Sequence, residues 1–302
     1  MNLKDIFVRS VQKLTNAGTE TPELDARILI TSVLKVDQTF LLSHPEFKPG
    51  ESQKRKILDL VNKRSKSVPI AYLIGHKEFF GYDFLVDRRV LIPRPESEFL
   101  VEKALERISN LEARILNDEA KIPNTQFKIL DLGTGSGCII ISLIKPLPIS
   151  YPLLHTFYAT DISKPALTVA KKNANFYGLT KKIKFFHSNL FSNPRLPKKL
   201  DLIIANLPYV PKTRNKNNGL RTKDIDFEPQ DAIFADDNGS EVIKNFLIQV
   251  KDRINKNGLI LIELDPRNAI EIKEAAENHF PSAQIELKKD LANFDRYLIL
   301  TC

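Results

Sequence analysis

The stretch KILDLGTGSG, residues 128–137, joins an apolar run to a turn that contains three glycines. The run has the length and composition of a buried strand, and the glycines let the chain turn tightly and let a ligand approach the main chain. A helix that starts directly after the turn would present free N–H groups there. The spacing Asp131-x-Gly133-x-Gly135-x-Gly137 matches neither the dinucleotide-binding fingerprint nor a P-loop. A tight strand-to-helix connection without a ligand remains the alternative at this point.

Two acidic residues end consecutive predicted strands in this region. Asp131 ends the strand before the turn, where a negative charge would repel a phosphate and suits a cationic amino-acid ligand. Asp161 ends the next strand, roughly twenty residues after the turn, a position from which a carboxylate can accept hydrogen bonds from ribose hydroxyls. The alternative role for Asp161 is to cap the following helix. Ser163, which precedes Lys164-Pro165, suits that role better.

Strands and helices alternate throughout the second half of the chain, with helical patterns such as SKPALTVAKKNANFYG between them. The predicted strands are FKILDLG, TFYATDI, KIKFFHSNL, LDLIIANLPYV and GLILIEL, with two more in the closing SAQIELKKDLANFDRYLILTC. This alternation is typical of α/β proteins, and it predicts a doubly wound, mostly parallel sheet.

The first part of the chain has a different pattern. Apolar residues recur at helical spacing from Leu3 to Leu14, Thr21-Pro22 suits the start of a second helix, and ESQKRKILDLVNKRSK suits a third. We therefore predict a small helical N-terminal domain over residues 1–76. Aromatic and β-branched residues flank Gly81-Tyr82 and predict a hairpin in a linker over residues 77–95. A helix from about Glu96 to Asn117 then opens a second domain, residues 96–302.

Composition limits the function classes. Of the 302 residues 42% are hydrophobic, yet no apolar run approaches the length of a membrane span and the N-terminus lacks a signal-peptide core, so we expect a cytoplasmic protein without a membrane partner. The two cysteines form no disulfide framework, and Cys138 is expected to pack as a small apolar side chain. The five histidines are scattered, so we expect no metal. The net charge of +8 suits an acidic partner such as nucleic acid, or reflects a general abundance of lysine.

The fourth predicted strand ends on an unusual tetrapeptide, Asn206-Leu207-Pro208-Tyr209. The Asn206 side-chain oxygen and the backbone carbonyl of residue 207 offer two acceptors, which suits a planar nitrogen that carries two N–H groups. Tyr209 offers a ring for stacking on a flat group, and Pro208 stiffens the loop. A plain turn is the alternative.

Taken together, DLGTGSG, ATDIS and NLPY resemble the S-adenosylmethionine-dependent methyltransferases of the seven-stranded, Rossmann-like class. The tetrapeptide is similar to the (N/D/S)-PP-(Y/F/W) motif of enzymes that methylate planar nitrogens, with Leu207 in place of the usual proline. The resemblance implies S-adenosyl-L-methionine as cofactor. The cofactor-binding residues that it implies are Asp131, Gly133, Thr134, Gly135, Ser136, Gly137, Asp161, Ile162, Asn189, Leu190 and Asn206.

Other segments narrow the resemblance to one family. PIAYLIGHKEFFG (69–81), VLIPRPESEFLVEKAL (90–105), DFEPQDAIFADDNG (226–239) and ELDARILI (23–30) resemble the release factor glutamine methyltransferases of the HemK/PrmC family. The resemblance implies methylation of the side-chain amide of the glutamine in the GGQ motif of peptide chain release factors, which modulates translation termination. It implies that residues 1–76 recognise the substrate. It also implies catalysis and substrate binding at Asn206, Leu207, Pro208 and Tyr209, a release factor as partner, no direct need for nucleic acid, and a monomer.

Several alternatives stay open at this level. A nucleic-acid N6-adenine or N2-guanine methyltransferase shares NLPY and suits the positive charge. A non-catalytic binding protein would suit Leu207, together with Asn189 where the methyltransferase class commonly has an acidic residue and Leu190 where an adenine-contacting side chain sits. Arg94 is a substrate-binding candidate or an ion-pair partner that holds the linker. The segment 227–229 faces substrate or forms a turn, and Glu98 pairs locally. The basic loop 212–223 is a candidate lid, and residues 263–266 are interpreted as a helix-entry turn rather than a site.

Overall fold

A seven-stranded sheet forms the centre of the computed structural model, which describes residues 1–116, 126–147, 155–212 and 223–302. By contact the chain forms two compact units. The first comprises Met1–His76 with the short segment Lys223–Phe227, and the second comprises the rest of the described chain and contains the sheet. The helices of the described residues are α1 (Leu3–Asn16), α2 (Pro22–Leu34), α3 (Gln38–Ser43), α4 (Glu51–Arg64), α5 (Ile70–Ile74), α6 (Glu98–Leu116), α7 (Cys138–Ile144), α8 (Lys164–Phe176), α9 (Glu241–Val250) and α10 (Ala269–His279).

The strands are named in chain order. They are β1 (His76–Phe79), β2 (Tyr82–Leu85), β3 (Phe127–Leu132), β4 (His155–Asp161), β5 (Ile183–His187), β6 (Leu200–Ala205), β7 (Val210–Pro211), β8 (Phe234–Ala235), β9 (Ile254–Glu263), β10 (Gln284–Lys289) and β11 (Asp295–Thr301).

The large sheet has the strand order β10–β11–β9–β6–β3–β4–β5. Strands β9, β6, β3, β4 and β5 are parallel, and β11 runs antiparallel to both of its neighbours. The chain builds outward from β3 through β4 to β5, then returns to place β6 and β9 on the other side of β3. This order is doubly wound and confirms the predicted fold class. Ligands of such sheets bind in the crevice at the carboxyl ends of the strands where the order reverses.

Burial explains why these segments form strands. Strands β3 and β6 are covered on both faces, and Ile129, Leu130, Ile203 and Ile204 are fully buried in two hydrophobic clusters. Parallel strands of this kind read as continuous apolar runs, which is why the sequence predicted them. The predicted ends were too long, because β5 stops at His187 and β6 stops at Ala205, so NLPY lies outside the sheet.

The first unit buries one face of each of its longer helices. Leu3, Leu29 and Ile57, from α1, α2 and α4, are fully buried in one cluster, as the helical spacing predicted. Thr21 precedes α2 as predicted, but its side chain does not cap the helix. Its hydroxyl instead donates to Asp25 Oδ1 at 2.9 Å.

A half-buried arginine connects the separate segment Lys223–Phe227 to this helical unit. Arg64 Nε donates to Asp25 Oδ2 at 2.6 Å, and Arg64 Nη1 donates to both carboxylate oxygens of Asp224 at 2.8 and 2.9 Å. The Arg64 side chain is 12% exposed and that of Asp224 is 32% exposed, so this ion pair is only partly shielded from water. The segment that follows the basic loop is therefore held by α2 and α4.

The predicted hairpin is present as β1 and β2. Its turn residues are Phe80 and Gly81, with φ of +54° and +74°, one position earlier than predicted. Two consecutive residues with positive φ match the right-handed twist of a two-residue hairpin. Phe79 and Phe84 are buried in the core of the second unit. Helix α6 starts at Glu98 after a single 3-10 turn, and its predicted end, Asn117, lies outside the described residues.

A buried asparagine on α8 connects this hairpin to the glycine turn. Asn173 Oδ1 accepts from Leu85 N at 2.9 Å, and its Nδ2 donates to Leu85 O at 3.0 Å and to Ser136 O at 2.8 Å. The side chain is fully buried, so an apolar replacement would leave main-chain groups of β2 and of the turn without these partners.

We expect Asn173→Ala to lower the free energy of unfolding by about 2–3 kcal/mol, because it removes three hydrogen bonds of a buried amide. Urea titration monitored by circular dichroism measures this. Asn175→Ala is the matched control, because Asn175 is exposed on the same helix and should change stability by less than about 0.5 kcal/mol. Equal stability of the two variants would contradict a role for Asn173 in holding the hairpin.

Candidate active site

The glycine turn between β3 and α7 takes the conformation that its sequence predicts. Gly133, Gly135 and Gly137 have φ of +80°, +55° and +81°, values that other residues adopt only with strain. The amide groups of Gly133 and Thr134 both donate to Thr160 O on β4, at 2.9 and 2.8 Å. The turn is therefore fixed to the neighbouring strand at the carboxyl edge of the sheet.

Asp131 shapes this turn from inside the protein. Its side chain is fully buried, and Oδ2 accepts a hydrogen bond from Thr134 Oγ1 at 2.6 Å, while Oδ1 has no hydrogen-bond partner in the described part of the chain. Burial raises the pKa of the Asp131 carboxyl to about 7. The Ser136 side chain is buried as well. Contact of these residues with a cofactor stays a prediction.

Asp161 lies at the carboxyl end of β4 and faces the same turn. Its Oδ2 accepts from Gly135 N at 2.9 Å, and its Oδ1 accepts from Ser163 N at 2.7 Å. Burial raises the pKa of the Asp161 carboxyl, and the two amide donors partly offset that rise. Ser163 Oγ accepts from Ala166 N at 3.2 Å, so Ser163 caps α8 as predicted.

The loop after β5 starts beside Asp161, because His187 is paired with Asp161 in the sheet register. Asn189 on this loop is exposed, and Leu190 is half-buried with φ of +46°. Ile162, directly after Asp161, is 59% exposed. The predicted adenosine-binding residues are thus neighbours, and their ligand contacts stay a prediction.

The tetrapeptide NLPY lies directly against the glycine turn. Leu132 of β3 is paired with Ala205 of β6, so the residues that follow these strands emerge side by side. A Cβ built on Gly133 would lie 3.3 Å from Leu207 Cδ2 and 3.5 Å from Asn206 O. Leu207 is 5% exposed, so its side chain packs under the turn. The two motifs that the sequence analysis singled out therefore meet at one point.

A buried carboxylate holds both polar side chains of the tetrapeptide. Asn206 Nδ2 donates to Glu263 Oε2 at 3.0 Å and to Ser97 Oγ at 2.7 Å, and the Tyr209 hydroxyl donates to Glu263 Oε1 at 2.7 Å. The interpretation of residues 263–266 as a helix-entry turn outside the site is wrong for Glu263. It holds for Asp265, whose carboxylate accepts from Arg267 N at 3.0 Å before α10.

Burial raises the pKa of both ionisable groups of this cluster, Tyr209 and Glu263. Burial, and then the charge of Glu263, raise the pKa of the Tyr209 phenol well above its ordinary value, so Tyr209 remains a neutral donor. Burial also raises the pKa of the Glu263 carboxyl, and hydrogen bonds from Ser97 and Tyr209 oppose that rise. The donors directed at Glu263 match an ionised carboxylate, which only accepts hydrogen bonds.

The segment 233–239 contacts the main chain of the tetrapeptide and of the strand that follows it. Strand β7, which directly follows Tyr209, pairs in parallel with β8, and Val210 N donates to Ile233 O at 3.0 Å. Gly239 lies so close to Tyr209 that a Cβ there would overlap the Tyr209 carbonyl oxygen. The role of DFEPQDAIFADDNG near NLPY is thus partly main-chain packing.

Arg94 forms an ion pair, as expected if it holds the linker. Its guanidinium pairs with Glu228, and Glu228, whose side chain is 1% exposed, also accepts from Ile92 N at 3.0 Å. Glu228 therefore anchors the segment around Arg94, and the Arg94 side chain is about one-third exposed. Substrate binding by Arg94 stays a prediction. Glu98 was predicted to pair locally, but its carboxylate accepts from Phe80 N at 2.9 Å, 18 residues away in the hairpin turn.

Three other predictions concern residues away from this cluster. Burial raises the pKa of the Cys138 thiol to about 12, which agrees with a packed apolar role. Residues 213–222 of the predicted lid lie outside the described residues. Among the described helices, none has the length and apolar character needed to cross a membrane.

Comparison with known sequences gives two family matches. Residues 5–75 match the model described as the PrmC N-terminal domain, and residues 108–221 match the methyltransferase small domain. A release factor glutamine methyltransferase of Rhodopirellula baltica is 34% identical over 281 residues, which cover 93% of this chain and 90% of that protein. The corresponding protein of Deinococcus radiodurans is 30% identical over 298 residues, with 99% and 98% coverage.

Longer relatives and a solved structure also match. A bifunctional methyltransferase of Rickettsia bellii is 34% identical over 281 residues, and the match covers 88% of this chain but 49% of that protein. The chain thus spans about half the length of that relative. The crystal structure of the hMettl16 catalytic domain has a TM-score of 0.51 at 18% identity, with 83% and 82% coverage, and this likeness supports the fold alone.

Proposed function

The chain belongs to the release factor glutamine methyltransferase family, and from that premise we propose that it methylates the side-chain amide of the GGQ glutamine in peptide chain release factors. Residues 1–76 serve in this proposal as the substrate-recognition domain, 77–95 as the linker and 96–302 as the methyltransferase domain. The proposal includes S-adenosylmethionine as methyl donor, a cytoplasmic location and a monomeric enzyme.

The residues at the carboxyl edge of the sheet fit this cofactor. A Cβ on Gly135 would meet nothing within 4 Å, so open space lies in front of the turn. Both oxygens of Asp161 already accept one amide each, and each keeps a further lone pair for a ribose hydroxyl. Ile162 presents an exposed apolar side chain beside it. When bound, S-adenosylmethionine supplies an electrophilic methyl group on a sulfonium.

One observation carries the proposal for the amide substrate. The NH2 group of Asn206 is fully engaged by Ser97 and Glu263, and no group in the described part of the chain donates to Asn206 Oδ1. That oxygen is therefore available to accept one N–H of a substrate amide, and the Leu207 carbonyl accepts the other. Holding both N–H groups turns the nitrogen lone pair toward a methyl group, and this orientation is the catalytic contribution we assign to the tetrapeptide.

The presence of Leu207 in place of the usual proline does not imply a less active site. A proline would restrict rotation through its ring, whereas Leu207 is 5% exposed and packs against Gly133 of the turn. Packing of a buried side chain limits the motion of this segment as well. We therefore assign Leu207 a supporting role rather than a loss of activity.

Methyl transfer from labelled S-adenosylmethionine tests the proposal. Release factor, total RNA and total DNA are supplied in parallel, and peptide mapping locates the label. A release factor with asparagine in place of the GGQ glutamine is the matched control substrate. We expect label on the glutamine of the natural factor and none on the control. Label in nucleic acid alone would overturn the proposal.

A further inference from the structure

Glu263 is an acidic residue at a buried position of a strand that is otherwise apolar there. It is the last residue of β9, where the residues from Ile260 to Ile262 are fully buried and apolar, and it is itself 1% exposed. A buried carboxylate is unfavourable unless several donors satisfy it. Ser97 Oγ donates to Glu263 Oε2 at 2.6 Å, and the donors of Asn206 and Tyr209 complete the set.

The sheet register brings this carboxylate to the tetrapeptide. Ala205 is paired with Ile262 in the parallel strands β6 and β9, so Asn206 and Glu263 are the next residues on each strand. Arg296 and Glu96 are the other charged groups that act on Glu263, and neither replaces the contacts to Asn206 and Tyr209. Two of the three side chains that donate to Glu263 therefore belong to the tetrapeptide proposed to bind the substrate amide.

An asparagine amide has two ends of almost equal shape, so its orientation has to be set by its partners. A carboxylate only accepts hydrogen bonds, so Glu263 admits Nδ2 and excludes Oδ1. The Ser97 hydroxyl gives its proton to Glu263 and accepts from Asn206 Nδ2, which reinforces the same orientation.

From this geometry we propose that Glu263 is a positioning residue, which fixes the Asn206 amide with its oxygen toward the substrate and fixes the Tyr209 ring through its hydroxyl. This inference rests on the proposed function, because it assigns a task to the same site. Glu263 touches neither substrate nor cofactor in this account, and acts through Asn206 and Tyr209.

The first test is Glu263→Gln, a replacement of equal size. Its single amide oxygen can accept from Asn206 or from Tyr209 but not from both, and its NH2 group then faces the other side chain, so the two side chains of the tetrapeptide are no longer fixed together. We expect kcat to fall on the order of 100-fold with S-adenosylmethionine affinity within about threefold of the parent. Asp201→Asn is the matched control, because Asp201 accepts from the Asn255 amide elsewhere on the sheet and should leave kcat unchanged.

The second test is a compensating pair. Asn206→Asp alone sets two carboxylates against each other, whereas Asn206→Asp with Glu263→Gln restores a donor facing an acceptor and leaves one oxygen of residue 206 toward the substrate. We expect the double variant to exceed Asn206→Asp in kcat by at least about 10-fold, because it restores the orientation on which transfer depends. Glu263→Gln with parental kcat, or a double variant no better than Asn206→Asp, would overturn the proposal.

A measurement without substrate separates this inference from the proposed function. The side-chain 15NH2 resonance of Asn206, assigned by its loss in Asn206→Ala, should exchange slowly with water in the parent and rapidly in Glu263→Gln. Slow exchange in both proteins overturns the positioning role. If exchange is slow in the parent and fast in the variant but no release factor is labelled, the positioning role of Glu263 stands. Only the proposed substrate is then rejected.

Discussion

Asn206→Ala should lower kcat for methyl transfer on the order of 100-fold and change S-adenosylmethionine affinity by less than about threefold, because we assign its side-chain oxygen to the substrate amide rather than to the cofactor. The substitution removes the one side-chain oxygen at the end of β6 that no described group engages, so the substrate amide loses an acceptor that orients its nitrogen. Binding energy used for orientation appears in kcat rather than in cofactor affinity. Single-turnover kinetics with calorimetry of cofactor binding would measure the two quantities separately.

The control for this variant is Asn255→Ala. Asn255 also donates its amide to a carboxylate, that of Asp201 at 2.6 Å, but it lies near the start of β9 rather than at its end. Loss of that contact should alter stability without altering kcat. If Asn206→Ala kept kcat within threefold of the parent, orientation of the amide by this residue would be rejected. If Asn255→Ala lost as much activity, the loss would reflect the fold.

The parts of the site that were predicted correctly depend on local sequence. Glycines at alternate positions after an apolar run require the observed turn, and Ser163 before a proline caps α8 through its own side chain. The apolar strands are continuous in sequence because both faces are buried. Each of these features is decided by residues within a few positions of one another, which is why sequence reasoning recovered the fold class.

The features that were missed depend on contacts between distant segments. Glu263 lies 57 residues from Asn206 and meets it only because β6 and β9 pair in parallel, and Ser97 reaches the same cluster from 109 residues away. Ser97 and Gly239 fall inside segments that were singled out by resemblance, but no local pattern marked these two positions. The sequence did show an acidic residue at the end of an apolar run at Glu263, but this residue was interpreted as part of a helix-entry turn.

Several segments that do not contact the substrate in this proposal position the tetrapeptide by packing and hydrogen bonds. The glycine turn packs against Leu207, Glu263 and Ser97 fix the polar side chains, and the segment 233–239 supports the main chain of the tetrapeptide. Orientation of a weak nucleophile requires a rigid acceptor pair, because a small misplacement lowers the rate sharply. Substitutions in these supporting segments should therefore affect catalysis even where no substrate is touched.

Gly239→Ala is the strongest case of such a substitution, and it should lower the free energy of unfolding by about 2–4 kcal/mol. A Cβ at this position would overlap the Tyr209 carbonyl oxygen, lie 2.8 Å from its carbonyl carbon and approach Asn268 Nδ2 to 3.0 Å, and φ is +90°. The obstacle is main chain, which cannot rotate away as a side chain can. Relief requires the tetrapeptide itself to move, so kcat should fall as well.

Gly178→Ala separates the overlap from the cost of the backbone conformation. Gly178 is exposed with φ of +70°, and a Cβ there would meet nothing within 4 Å, so alanine should cost only about 1 kcal/mol of backbone strain and leave kcat unchanged. Urea titration and methyl-transfer assays on both variants distinguish the effect of the overlap with Tyr209 from the effect of positive φ. Equal losses of stability would mean that positive φ alone requires glycine at position 239. A larger loss for Gly239→Ala, together with a fall in kcat, would show that the close approach to Tyr209 holds the tetrapeptide in place.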